Sequence, residues 1–194
     1  MSVLIDGFWQ IDLYLFKLIN FDSSHSVLDV LLPYLTNLHN MPFFRYGLGP
    51  LFIAVWIFFQ RKRALRVLFA VAITLAVSDS FNYRILKPLI GRERPNQQLQ
   101  TDSILRVYGP KSGSFPSNHA ASGFAVAYTL QWYYPGLRWI FFSLATVVAL
   151  SRVYAGVHFP SDILGGALIG LAIGFILKEF IFRRFNIFSS SRRR

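Results

Sequence analysis

Residues 151–176 read SRVYAGVHFPSDILGGALIGLAIGFI. Beyond Asp162 the chain stays apolar from Ile163 to Leu177, the core of a run over 161–182 that has about the 20 residues a membrane-spanning helix needs. Its small residues, Gly165, Gly166, Ala167, Gly170 and Gly174, suit close packing against a neighbouring helix. Ahead of this run stand Arg152, His158 and Asp162, groups for which a lipid-facing helix has no use. One segment therefore predicts both an architecture, helices inside a membrane, and a polar cluster held at a helix end.

The same apolar signal recurs along the chain. Runs cover 26–39 (short, interrupted by Pro33), 42–60, 64–88, 118–134, 136–157 and 161–182. Residues 4–20 mix apolar side chains with Asp6, Gln10, Asp12 and Lys17, the pattern of an amphipathic helix lying in the interface. That segment lacks the basic start and small-residue cleavage site of a signal peptide. The expectation is an all-α integral membrane bundle. It has about six transmembrane helices and an N-terminal interfacial helix in a single domain, 1–194, with a long loop over 89–117.

Composition agrees. The chain is 54% hydrophobic and 15% charged over 194 residues, against about 25% charged for a soluble domain. This excludes disorder and speaks against an ordinary soluble fold. The net charge of +11 suits membrane interfaces; nucleic-acid binding calls for a soluble basic face instead. The absence of cysteine excludes disulfide frameworks, thiolate nucleophiles, zinc–thiolate sites and iron–sulfur clusters. Six spans place both termini on one side, with 12 of the 20 basic residues. The positive-inside rule then predicts cytoplasmic termini and an external long loop.

Three polar clusters fall on that external face: KPLIGRERP (87–95), FPSNH (115–119) and SRVYAGVHFPSD (151–162). Lys87, Arg94 and Arg152 are cations without an obvious acid for each, so an anion is expected. Arginine forks match phosphate oxygens, and lysine adds a point charge. Ser117 and Asn118 follow Pro116 and precede an apolar run, which predicts a helix N-terminus with free N–H groups. Asp162 lies four residues after His158 across a turn at Pro160. A carboxylate on one ring nitrogen leaves the other as a nucleophile. His119 can then supply the leaving group's proton. Such a set performs phosphoryl transfer without metal or cofactor.

These clusters resemble the tripartite signature of the type 2 phosphatidic acid phosphatase superfamily, K-x6-RP, PSGH and SR-x5-H-x3-D. Here it reads Lys87…Arg94-Pro95, Pro116-Ser117-Asn118-His119 and Ser151-Arg152…His158…Asp162. Asn118 stands where the family has glycine; its backbone N–H remains, and the larger side chain narrows the pocket. The resemblance implies that His158 forms a phosphohistidine, His119 is the general acid and Asp162 orients His158. Lys87, Arg94, Ser117, Asn118 and Arg152 surround the phosphate. It implies a membrane lipid phosphatase of the bacterial cytoplasmic membrane, working at its outer face. Lipid A 1-phosphate is the leading substrate, with undecaprenyl diphosphate, phosphatidylglycerol phosphate and phosphatidate beside it. A lipid phosphotransferase would use the same residues. An anion transporter is the reading from another class.

Each piece has a plainer explanation when taken alone. The Lys87–Arg94 group reads as interfacial charge, Pro116-Ser117 as a helix start, Asp162 as a first-turn acid. Their occurrence together, in order and on one face, favours a site. Asp79 is a candidate partner of that site or a helix–helix hydrogen-bonding group. Arg106 and Lys111 read as solvated loop charge rather than headgroup ligands. His25 and His39 lack companions. Trp9, Trp132, Tyr133, Tyr134 and Trp139 read as interfacial belts.

Overall fold

The computed structural model describes residues 2–99, 102–108 and 112–184. They form nine α-helices, joined in places by short tighter or wider helical turns. α1 is Ser2–Lys17 and α2 is Ser26–Asn37. α3 is Gly49–Gln60, the end of an apolar helical stretch, Phe44–Gln60. α4, Lys62–Phe81, continues through a wide turn into α5, Lys87–Ile90. α6 is a single turn, Pro95–Gln98. α7 is Asn118–Tyr133, α8 Arg138–Tyr154 and α9 Pro160–Ile176. Lys62–Gln98, Pro135–Tyr154 and Pro160–Phe180 are long and apolar enough to cross a membrane.

The bundle is organised around α7. Its small residues Ala120, Ala121 and Ala125 are fully buried. Facing them, Gly166 and Gly170 admit the α7 backbone so closely that a Cβ on Gly170 would lie 2.1 Å from the Ala121 carbonyl oxygen. The glycine stripe of residues 165–174 is thus a packing surface, as its spacing predicts. One apolar cluster forms where α1, α7, α8 and α9 meet, around Phe16, Ala120, Ala149, Val153, Phe159 and Ile163. A second closes the opposite end around Val67, Ala70, Tyr133, Ile173, Leu177 and Phe182.

The six-span expectation requires correction at its first span. His25, just ahead of α2, donates its N–H to the Tyr154 hydroxyl at the C-terminal end of α8. Arg63, at the start of α4, instead donates to the carbonyl of Tyr133, at the C-terminal end of α7. Residues 25 and 63 therefore sit at opposite ends of the bundle, and the apolar stretch Phe44–Gln60 connects them. Thr36, near the end of α2, still reaches Arg152, so α2 stays in the same half as its start. Pro33 inside a 12-residue helix is consistent with a segment too short to span.

α1 lies across that same end: Trp9 and Phe16 pack on Phe159, and Asn20 bonds the Tyr154 carbonyl. Along α1 and the wide turn Leu18–Asp22 that follows it, Phe8, Ile11, Leu15 and Leu18 are exposed, while Asp12, Phe16 and Asn20 are buried. One face is thus packed on the bundle and the other left apolar and open, an amphipathic pattern. Among the described residues, α1 lies at the near end and the helix beginning at Pro160 carries the chain to the far end.

Candidate active site

The turn from α8 into α9 creates the centre of the site. Gly156, at φ +81°, carries the chain past the Ile104 carbonyl, which a Cβ would meet at 2.4 Å. Phe159 is extended and Pro160 starts α9, where its missing N–H costs nothing. Asp162 then occupies the first turn. Its Oδ2 accepts the Phe159 N–H at 2.8 Å and the Ser114 hydroxyl. Its Oδ1 accepts from Arg92 Nη1 at 2.7 Å. The carboxylate therefore caps α9 while facing His158.

Two neighbours determine the His158 tautomer. Nδ1 lies 3.4 Å from Asp162 Oδ2, an acceptor. Nε2 lies 3.3 Å from Arg94 Nη1, which can only donate. The ring proton thus sits on Nδ1 and a lone pair on Nε2. The ring is 3% exposed, and burial pushes its pKa down to about 4, against the pull of Asp162. His158 is accordingly neutral at physiological pH.

The three expected cations converge here, each buried. Lys87 Nζ donates to the Gly113 carbonyl at 2.6 Å. Arg94 donates to the carbonyls of Ser112 and Val157. Arg152 Nη1 reaches Thr36 Oγ1 at 3.2 Å, while its Nε is buried without a hydrogen-bond partner. Ser117 is the residue before α7, and its N–H donates to the Asp162 carbonyl. Its hydroxyl, like the Asn118 Oδ1, is buried and unpaired. Two donors are unspent, Ser117 Oγ at the N-terminus of α7 and Arg152 Nε in the last turn of α8, which suits an anionic ligand.

His119 is half-buried on the first turn of α7. It opens onto a cleft of about 750 Å³ between α4, α7 and α8. The polar end of the cleft carries Asp79, Asn118, His119 and Ser122; below them Leu75, Leu130 and Leu144 are among its apolar lining. Ser122 donates to Asp79 at 2.7 Å, so Asp79 makes a helix–helix hydrogen bond and also lines the cleft.

Several participants carried no legible signal. Ser114 reaches Asp162 across 48 positions. Arg92 reads as interfacial charge, yet it bridges Asp162 and Asp12. Asp12 did leave a trace, being a charge in register with Trp9 and Phe16 on the inward stripe of α1. Arg106 corrects the solvated-loop reading: its side chain is 6% exposed, pairs with Asp29 at 2.5 Å and stacks on Tyr154. It ties the loop to α2. Trp9 packs inside against Phe159 rather than in a belt. Trp132 meets Lys178, and Trp139 meets Arg138, at the far end. His25 caps α2 by accepting the Val27 N–H. Lys111 and the His39 side chain lie outside the described residues.

With this geometry in place, comparison with known proteins is informative. The chain is similar to lipid A 4'-phosphatase of Bacteroides thetaiotaomicron, 37% identical over 58% of this chain and 52% of that one. It thus spans about half the length of that relative. It is 30% identical to undecaprenyl-diphosphatase of Sulfolobus acidocaldarius, over 84% of this chain and 74% of that one. Among solved structures, Aquifex aeolicus LpxE superposes with a TM-score of 0.63 at 29% identity, covering 88% of this chain and 96% of the other. The Bacillus subtilis phosphatidylglycerolphosphate phosphatase gives 0.63 at 29%, covering 91% and 87%. The profile of the PAP2 superfamily matches residues 63–186, a span that holds all three polar clusters, and the chain belongs to that superfamily.

Proposed function

We propose that this integral membrane protein is a metal-independent lipid phosphatase working through a phosphohistidine on His158. The observation that carries the reading is the tautomer: Asp162 on Nδ1 and Arg94 on Nε2 leave a neutral ring with its lone pair toward the cations. Nε2 attacks phosphorus, and the bond to the lipid oxygen breaks as His119 gives that oxygen its proton. Water, deprotonated by His119, then attacks the phosphohistidine and releases phosphate. Lys87, Arg94, Arg152, Ser117 and the N–H groups at Asn118 hold the phosphoryl oxygens. Their charge stabilises the transition state without a divalent ion, so activity persists in excess EDTA.

The substrate is a lipid whose phosphate sits at the headgroup level and whose chain lies in the cleft below His119. We place lipid A first, with dephosphorylation at the 1-position. Undecaprenyl diphosphate is the second reading, favoured because the match to the archaeal undecaprenyl-diphosphatase covers 84% of the chain. Phosphatidylglycerol phosphate is tolerated. The site faces outward from a bacterial cytoplasmic membrane. Arg61, Lys62, Arg63, Arg66, Arg138, Lys178, Arg183 and Arg184 gather at the far end, the pattern of a cytoplasmic face. Several site-end cations are instead engaged in the internal bonds described above.

The test is phosphate release by the purified protein from lipid A, undecaprenyl diphosphate, phosphatidylglycerol phosphate and phosphatidate, with His158→Ala alongside. Lipid A should be turned over fastest, losing its 1-phosphate, and His158→Ala should be inactive on all four. Near wild-type release by His158→Ala would overturn the mechanism. Loss of the 4'-phosphate, or faster turnover of undecaprenyl diphosphate, would overturn the substrate order.

A further inference from the structure

Asp12 is a carboxylate only 3% exposed, and the chemistry above gives it no role. It belongs to α1, outside residues 63–186 that match the superfamily profile. Its Oδ1 accepts the Ser161 N–H at 2.8 Å. Its Oδ2 accepts the Ser161 hydroxyl at 2.5 Å and Arg92 Nη2 at 2.6 Å. The other end of the same guanidinium, Nη1, binds Asp162 at 2.7 Å and Ser161 Oγ at 2.6 Å. One cation thus stands between two buried carboxylates, and one of those carboxylates orients His158.

The electrostatic consequence is specific. A guanidinium paired with Asp162 alone would draw that carboxylate's charge away from the His158 ring. Asp12 shares the guanidinium, so Asp162 keeps more of its charge for Nδ1–H, where positive charge grows as Nε2 bonds to phosphorus. The geometric consequence runs in parallel. Trp9 packs edge-on against Phe159 with centroids 5.1 Å apart, Phe16 lies at 5.4 Å, and Arg92 covers the same ring at 4.3 Å. Phe159 follows the nucleophile directly, and its N–H donates to Asp162. α1 therefore holds the catalytic turn from two sides.

We propose that Asp12 and Arg92 are positioning residues that set the orientation and effective charge of Asp162, and that α1 is in this way a working part of the catalytic end. The proposal rests on His158 being the nucleophile.

The experiment is steady-state kinetics on the preferred lipid, with inorganic phosphate as competitive inhibitor, for Asp12→Asn, Arg92→Gln and the double variant. Asp12→Asn retains shape and an acceptor for Ser161 but loses the charge. It should lower kcat about tenfold, while KM and the phosphate inhibition constant stay within about twofold. Arg92→Gln should lower kcat by about tenfold or more. The double variant should be no slower than Arg92→Gln, because the Asp12 charge acts only through the guanidinium and asparagine keeps an acceptor for Ser161. Asp6→Asn, on the exposed part of α1, should match wild type. The proposal is overturned if Asp12→Asn keeps wild-type kcat, if the two losses add, or if phosphate inhibition weakens in step with kcat, which marks general disruption. An active His158→Ala would instead overturn the underlying reading of the site, and the two failures are distinguishable.

Discussion

α7 shows two different faces. Toward α9 it presents Ala120 and Ala121, with backbone close enough that Gly166 and Gly170 leave no space for a Cβ. Toward α4 and α8 it presents Ser122, Gly123, Val126 and Leu130, and there the bundle opens into a cleft. The two histidines divide in the same way. His158 is locked in the closed region by Asp162, Arg94 and burial, whereas His119 stands half-buried at the mouth of the open one. The difference teaches that one helix separates two requirements. In the proposed reaction the nucleophile needs a fixed ring and a set tautomer, while the general acid must meet an incoming lipid.

The sharpest way to break this division is to force the closed face apart. Gly170→Val places a branched side chain where even a Cβ would lie 2.1 Å from the Ala121 carbonyl oxygen. Backbone cannot swing aside as a flexible side chain does. The expected cost exceeds about 3 kcal/mol, at the severe end of overpacking. Thermal unfolding in detergent should show a large drop in Tm, or no folded protein at all. A stable, active Gly170→Val would mean that α7 and α9 are not packed this closely.

On the open face, His119→Ala should lower kcat for a lipid phosphate by about 10²–10⁴. The loss should be much smaller for an aryl phosphate, whose leaving group needs little protonation. Phosphate release on the two substrates measures this directly, and equal losses would remove His119 from the acid role.

The locked histidine makes a pH prediction with a definite sign. His158 is depressed from 6.5 to about 4, so its neutral, nucleophilic form persists as pH falls through 6.5 and is lost only near 4. An ordinary histidine would be about 90% protonated at pH 5.5. kcat/KM on an aryl phosphate should therefore fall by no more than about twofold between pH 7 and 5.5. A tenfold fall would show a ring that titrates like an exposed one. The same shift destabilises the fold below pH 6.5, where the unfolded chain takes up a proton that the buried ring refuses.

Which parts of this were legible in the sequence follows from the physics of each signal. The helices of the core read well because apolar runs are long and uninterrupted: the run 118–134 became α7, 118–133. The three clusters read well because their residue types are costly beside lipid. The first span did not. Residues 26–39 are apolar enough to suggest a crossing, but hydropathy counts side chains and not the direction of the helix. What holds α2 at the catalytic end is Arg106–Asp29–Tyr154 and Thr36–Arg152, contacts between residues up to 125 positions apart. The Asp12–Arg92–Asp162 chain escaped for the same reason. Each of its members has a plain local explanation, and only the fold joins them.

The smallest expected effect belongs to the cleft. Gly123 lines it, and a Cβ there would sit 3.5 Å from the Ala145 Cβ, an ordinary contact. Gly123→Leu should therefore fold, while its side chain occupies space below His119. Burying a lipid chain from water would be worth about 0.8 kcal/mol per methylene. The proposed lipid substrate, however, would come from the bilayer, where its chain is already surrounded by hydrocarbon, and lipid tails are as apolar as leucine. On that reading the cleft would gain little binding energy from the chain and would serve to direct the headgroup toward His119. The expected change is accordingly modest: KM for a long-chain lipid phosphate should rise about threefold to tenfold. The ratio of kcat/KM for that lipid to kcat/KM for a short-chain soluble ester should fall by a similar factor. If the ratio stays constant, the chain does not use this cleft, and the open face of α7 serves only to expose His119.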